Sequence, residues 1–107
     1  MLISTAVDET AALAVKLFGD PLRAEFVGLL AAEQLCTCHL VDITGARQPT
    51  VSHHLRVLRD ADLVEAIPDG RFTYYRLRPE PLATLAGHVR RLAADAVAAP
   101  RHRRPCA

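Results

Sequence analysis

A chain of 107 residues holds one domain with room for a short tail and no second core. Half the residues are hydrophobic and 23% are charged, which excludes a disordered chain, and a net charge of only +1 advertises no polyanionic partner. Charged residues interrupt every apolar run well before the roughly 20 residues that span a bilayer. The opening MLISTAVDET carries no basic segment ahead of its apolar residues, so neither a membrane nor a secretory signal is expected, and the chain reads as cytoplasmic. Three cysteines, two of them only one residue apart at Cys36 and Cys38, make a poor disulfide framework and suit a reducing compartment.

In chain order, Thr5 to Phe18 is an Ala-rich predicted helix, with Val7, Leu13, Ala14, Leu17 and Phe18 spaced mostly by three and four, ended by Gly19. Asp20 and Pro21 supply an N-cap and a first-turn proline for a second helix running to about Ala32. Thr37 is expected to cap a short helix through Leu40, Val41 and Thr44, stopped by Gly45. Arg47-Gln48-Pro49 then opens a helix that continues to Ala61. Val51, Leu55 and Leu58 form its apolar seam, while Thr50, Ser52, His53, Arg56 and Arg59 fall largely off it. Leu63–Ile67 and Phe72–Leu77 read as two strands around Pro68-Asp69-Gly70-Arg71, a hairpin turn with Asp-Gly at its centre. A last helix is expected from about Leu82 to Ala98, with Leu85, Val89 and Leu92 on one side, and Pro100 after it. Residues 1–98 thus form the folded domain and 99–107 a basic tail that carries Cys106.

The near-zero charge conceals an asymmetry. Residues 1–46 hold two basic and six acidic side chains, a net of −4; residues 47–107 hold eleven arginines against six acids, a net of +5. A basic half joined to an acidic half is a footprint of nucleic-acid binding. Two short helices joined by a tight turn, the second polar on its outer face, make a helix-turn-helix, and the hairpin that follows is a wing. The fold class is therefore mainly α with a small β-hairpin, a winged helix-turn-helix. Thr50 and Ser52 offer hydroxyls to phosphates or base edges, Gln48, His53 and His54 offer planar donors and acceptors, and Arg47 and Arg56 neutralise phosphates. Arg71 sits at the wing tip. Neighbours on a helix diverge by about 100°, so one of the two histidines is expected to face outward and the other to pack partly inward.

Four segments, Leu17-Phe18-Gly19-Asp20-Pro21-Leu22-Arg23, Cys36-Thr37-Cys38-His39-Leu40, Gln48-Pro49-Thr50-Val51-Ser52-His53-His54-Leu55 and Gly70-Arg71-Phe72-Thr73-Tyr74-Tyr75-Arg76-Leu77, resemble the ArsR/SmtB family of bacterial metal-responsive repressors. The likeness covers about residues 10–95. It implies a homodimer, joined through the first and last helices, that binds double-stranded operator DNA and releases it when an ion binds. No catalytic cofactor is implied. The chain also lacks a Cys-x-x-Cys in a βαβ setting, a nucleophile–base pairing and a phosphate-cradling Gly-rich loop, so an enzyme is not expected.

The same resemblance places Cys36 and Cys38 at the arsenic- and cadmium-type site, where thiolates select a soft ion, As(III) or Sb(III) above all, with Cd(II), Pb(II) and Bi(III) as the other candidates. The arsenic-type pattern adds a third cysteine where this chain has Val41, which leaves Cys106 as the remaining thiol. Neighbouring Arg101, Arg103 and Arg104 would favour its thiolate. His39 could add a nitrogen ligand or serve as a cap. His88 and Asp95 lack the spacing of a zinc site on the last helix, and no N-terminal cysteine supports a cadmium-type site. Residues two apart in a regular helix point about 200° apart, so a shared ion is expected to distort the helix that bears the pair. A thiol redox-sensing regulator of the same fold is the other reading.

Overall fold

A computed structural model describes residues 5–106, with side chains described from Glu9 onward, so the side chain of Val7 lies outside what is described. The elements follow in the order α1 (Thr5–Phe18), α2 (Pro21–Ala32), β1 (Leu35–Cys36), α3 (Thr37–Thr44), α4 (Gln48–Asp60), β2 (Val64–Asp69), β3 (Phe72–Leu77) and α5 (Pro79–Ala98). The three strands form an antiparallel sheet in the order β1-β3-β2. This is the expected winged helix-turn-helix with one addition, the two-residue strand β1, which pairs Leu35 with Tyr75 and Cys36 with Tyr74.

The core lies where these elements meet. Leu17 of α1, Phe26 and Leu30 of α2, Leu40 of α3, Val51, Leu55 and Leu58 of α4, Leu63, Val64 of β2 and Leu85 of α5 are buried in one cluster. The apolar seam read on α4 is therefore its inner face. The loop Gly45–Arg47 joins α3 to α4; Gly45 takes a left-handed φ of 73° and its N–H donates to the Val41 carbonyl, a C-cap that a residue with Cβ would strain. The far end of α4 closes in a Schellman motif: the Leu63 N–H reaches the Leu58 carbonyl and the Asp62 N–H that of Arg59. Asp62 occupies the left-handed position usually given to glycine, at φ 61°, and its carboxylate lies 2.7 Å from Arg78.

Three boundaries differ from the sequence reading. Strand β2 runs on through Pro68 to Asp69, which pairs with Phe72, so the hairpin loop is Gly70-Arg71 and not Asp-Gly. Proline is tolerated there because β2 is an edge strand with only β3 beside it; Gly70, at φ 62°, supplies the turn. Helix α5 starts at Pro79, three residues early, since Pro79 and Pro81 fall in the first turn, where missing N–H groups cost nothing. Finally, Cys36 and not Thr37 is the N-cap of α3.

Only Leu85 of α5 is buried; Val89, Leu92 and Val97 are exposed, as are Val15 and Phe18 of α1. The tail after Ala98 forms no helix or strand among the described residues. No helix among those residues is long and apolar enough to cross a membrane.

Candidate functional site

The outer surface of α4 and the wing hold most of the residues expected to meet DNA. Arg47, Gln48, Thr50, His53 and Arg56 are exposed and Ser52 is half-buried. Ser52, Leu55, Arg56, Arg59 and Asp60 of α4 line a depression together with Tyr75 of β3, so the helix and the wing strand meet there. Arg71 is exposed at the wing tip, and beside it Phe72 is exposed as well.

His54 departs from this set. It is 6% exposed and points inward, with its ring edge-on to Phe26 at 5.8 Å. The reason is helical geometry: His54 belongs to the inner seam with Val51, Leu55 and Leu58, so it cannot share the outward face of His53. Its polar partners come from the start of α2. Arg23 donates from Nη1 to His54 Nδ1 at 3.3 Å, and His54 Nε2 lies 3.6 Å from Asp20 Oδ1. Arg23, itself 9% exposed, also donates to the Val15 and Lys16 carbonyls at the end of α1. Asp20 accepts from the backbone N–H groups of Leu22 and Arg23, as an N-cap should. The Arg23 N–H, and after it the nearby His54, hold the Asp20 carboxyl below its ordinary value against the opposing effect of desolvation. Burial pushes the His54 pKa down, the Arg23 and His53 charges reinforce the shift, and Asp20 opposes it.

The second cluster lies at the start of α3. Cys36 is buried with an extended backbone, outside the helix, and Cys38 is exposed at the second helical position. Their Cα atoms are 5.5 Å apart and their sulfurs face each other in contact. The pair straddles the helix end, where the chain has already turned, so the two sulfurs converge without a break inside α3. His39 completes the group. Its Nδ1 accepts from the Cys36 N–H at 3.1 Å and lies 3.3 Å from Cys36 Sγ. One ligand atom from each of Cys36, Cys38 and His39 falls within 4.8 Å of the others. The ring of His39 also packs at 5.9 Å from that of Tyr74, the residue that β1 pairs with Cys36.

Two thiolates and a neutral imidazole suit a soft or borderline ion. Cys106 is exposed in the tail and is not brought into this group. Val41, where a third cysteine would stand in the arsenic-type pattern, packs against the core. Of the two roles the sequence leaves open for His39, the capping one is seen, and its ring nitrogen also stands close to both sulfurs. Its place directly after Cys-x-Cys was the available signal.

Residues 20–66 match the model of the bacterial regulatory protein family arsR. An uncharacterised HTH-type transcriptional regulator of Methanocaldococcus jannaschii is 41% identical over 68 residues, covering 63% of this chain and 76% of its own length. The arsenical resistance operon repressor of Staphylococcus xylosus is 38% identical over 66 residues, covering 62% of this chain and 64% of the repressor, so the chain spans less than two thirds of that relative. Among solved structures, the homodimeric winged helix-turn-helix DNA-binding domain of a possible ArsR-family regulator from Mycobacterium bovis superposes with a TM-score of 0.65 at 28% identity, over 92% of this chain and 90% of that one.

Proposed function

Because the chain belongs to the ArsR family of winged helix-turn-helix transcriptional regulators, we propose that it is a homodimeric repressor released from operator DNA when a thiophilic ion, As(III) or Sb(III) above all, binds Cys36 and Cys38. The observation that carries this reading is the convergence of the two sulfurs at the start of α3, the helix that directly precedes the DNA-facing α4. The arsenical resistance repressor among its relatives supports the choice of ion. The duplex is met by Arg47, Gln48, Thr50, Ser52, His53 and Arg56 on and beside α4 and by Arg71 on the wing. The exposed apolar residues of α1 and α5, Val15, Phe18, Val89 and Leu92, join the two protomers.

As(III) forms a three-coordinate pyramid with thiolates, and two are at hand. The third donor is His39 Nδ1 or the thiolate of Cys106, which the tail would have to deliver. Occupation by His39 takes Nδ1 away from the Cys36 N–H, so ion binding loosens the cap of α3 as it forms. The same residue, Cys36, is paired with Tyr74 of the wing strand, so the change reaches both DNA-contacting elements. The ion is the effector here and takes part in no catalysis.

The test is release of a duplex, selected from a random-sequence pool on the wild-type chain, under titration with arsenite, antimonite, Cd(II) or Zn(II). Arsenite is expected to release wild type, while Cys36→Ser and Cys38→Ser stay bound at concentrations at least about a hundredfold higher, the loss of a soft-ion ligand. Cys106→Ser and His39→Ala separate the two third donors. Release by Cd(II) alone would move the assignment to a cadmium- or lead-type repressor.

The sulfur contact also favours a second reading, a redox sensor. There the two thiols give up two electrons and two protons to a peroxide, which becomes water, as the disulfide forms. Release by peroxide and not by arsenite would select it.

A further inference from the structure

The polar cluster that joins the end of α1, the start of α2 and the inner face of α4 touches no DNA, yet it ends on the helix that does. We propose that Asp20, Arg23 and His54 are positioning residues for operator binding: a relay, buried at Arg23 and His54 and half-buried at Asp20, that sets α4 against the termini of α1 and α2. The proposal rests on the reading of α4 as the DNA-contacting helix.

Arg23 is the hub. Its Nε and Nη2 take up the last carbonyls of α1, those of Lys16 and Val15, and its Nη1 reaches across to His54 Nδ1. Burying a guanidinium is costly unless its donors are bonded, and these bonds run in three directions to two other helices. A hydrophobic side chain would fill the space but would not fix the rotation of α4. The rotation matters because His53, the next residue, is exposed on the outer face, so the azimuth at which His54 is held sets where His53 and its neighbours point.

The relay works with one protonation state. Since Arg23 can only donate, Nδ1 must accept, and the proton sits on Nε2, turned toward Asp20. A second proton would place an N–H at Nδ1 against Arg23 Nη1, donor against donor. The groups bearing on the ring are Asp20 and Arg23 from α2 and His53 from α4; α1 contributes the uncharged carbonyls of Val15 and Lys16, which hold Arg23 in place. Burial keeps His54 below its ordinary range, so it is neutral near pH 7 and becomes charged on acidification.

The test is affinity for the selected duplex at fixed salt between about pH 7.5 and 5, with the His54 ring followed by nitrogen NMR in the wild-type chain. Wild type is expected to lose about tenfold in affinity on acidification, the scale of one bond to a charged group, with a midpoint that tracks His54. His54→Leu should bind about tenfold more weakly near neutral pH. His54→Asn, which keeps an acceptor near Arg23 and cannot titrate, should recover most of that affinity and abolish the acid loss. The proposal is overturned if His54 titrates without any change in affinity, if His54→Asn keeps the acid loss, or if His54→Leu binds like wild type. The NMR arm uses the unaltered chain, so a variant that fails to fold does not remove the test. Arg56→Ala separates the two levels of argument. If it leaves affinity unchanged, α4 is not the contacting helix; if it weakens binding while the His54 results fail, only the relay falls.

Discussion

At the start of α2, the Asp20 carboxylate takes the N–H groups of Leu22 and Arg23, and the buried Arg23 and His54 close over it. At the start of α3, the N-cap is a cysteine whose sulfur is paired with that of Cys38 and lies beside the His39 imidazole. Both sites use the same local device, a helix N-terminus with free N–H groups. In the first the partners are hard, Arg23 and His54 are buried beside a half-buried Asp20, and among the described residues no buried side-chain N or O atom is left without a partner. In the second the donors are soft and half open to solvent. A satisfied terminus holds helices together; one whose side chains still have lone pairs to give can take an ion.

The contrast is broken most severely from the closed side. Phe26 is fully buried and backs the His54 ring, so Phe26→Ala is expected to cost about 3–5 kcal/mol, read as a lowered midpoint in urea. Next comes Asp20→Ala, which removes the cap and should lower Tm by several degrees at neutral pH. Because the folded-state pKa of Asp20 lies below its ordinary value, its contribution is present above the ordinary carboxylate range and is lost as pH falls through that lowered value. The Tm gap between wild type and Asp20→Ala should therefore narrow in acid, and a gap independent of pH would contradict the electrostatic account. The smallest effect belongs to the open side. Serine is a better N-cap than cysteine but buries a hydroxyl here, so Cys36→Ser should cost about 1 kcal/mol in unfolding, well short of Phe26→Ala, and on the proposed reading it would lose the ion response. If it unfolds as readily as Phe26→Ala, the two termini are not different in kind.

What could be read in advance follows the range of the forces involved. The seam Val51-Leu55-Leu58 and the Asp20-Pro21 start are local patterns, and both stand where they were expected. Strand β1 could not be seen: two residues carry no periodicity, and the strand exists only because β3 pairs with it. That missing strand also displaced the cap by one residue, since Thr37 is the better capping type while pairing with β3 keeps Cys36 extended and outside the helix. The nearness of His39 to the two sulfurs was within reach of a sequence argument, because Cys-x-Cys-His puts three donors within four residues. The burial of His54 was legible only as a choice between two neighbours. That Arg23 is its partner, from thirty-one positions away, was not legible at all.

Helix α5 runs for 20 residues and buries only Leu85. Most helical stability in proteins comes from packing of an apolar face, and the apolar side chains left outside, Val89, Leu92 and Val97, do not hold it within one chain. In the proposed dimer a second copy would supply that packing, and supply of that kind obeys mass action: the ordered fraction would depend on how many chains are present. Dilution would loosen the repressor before any ion reached it, so the number of copies in a cell is itself an input, and the threshold for release would shift with expression level as well as with the ion.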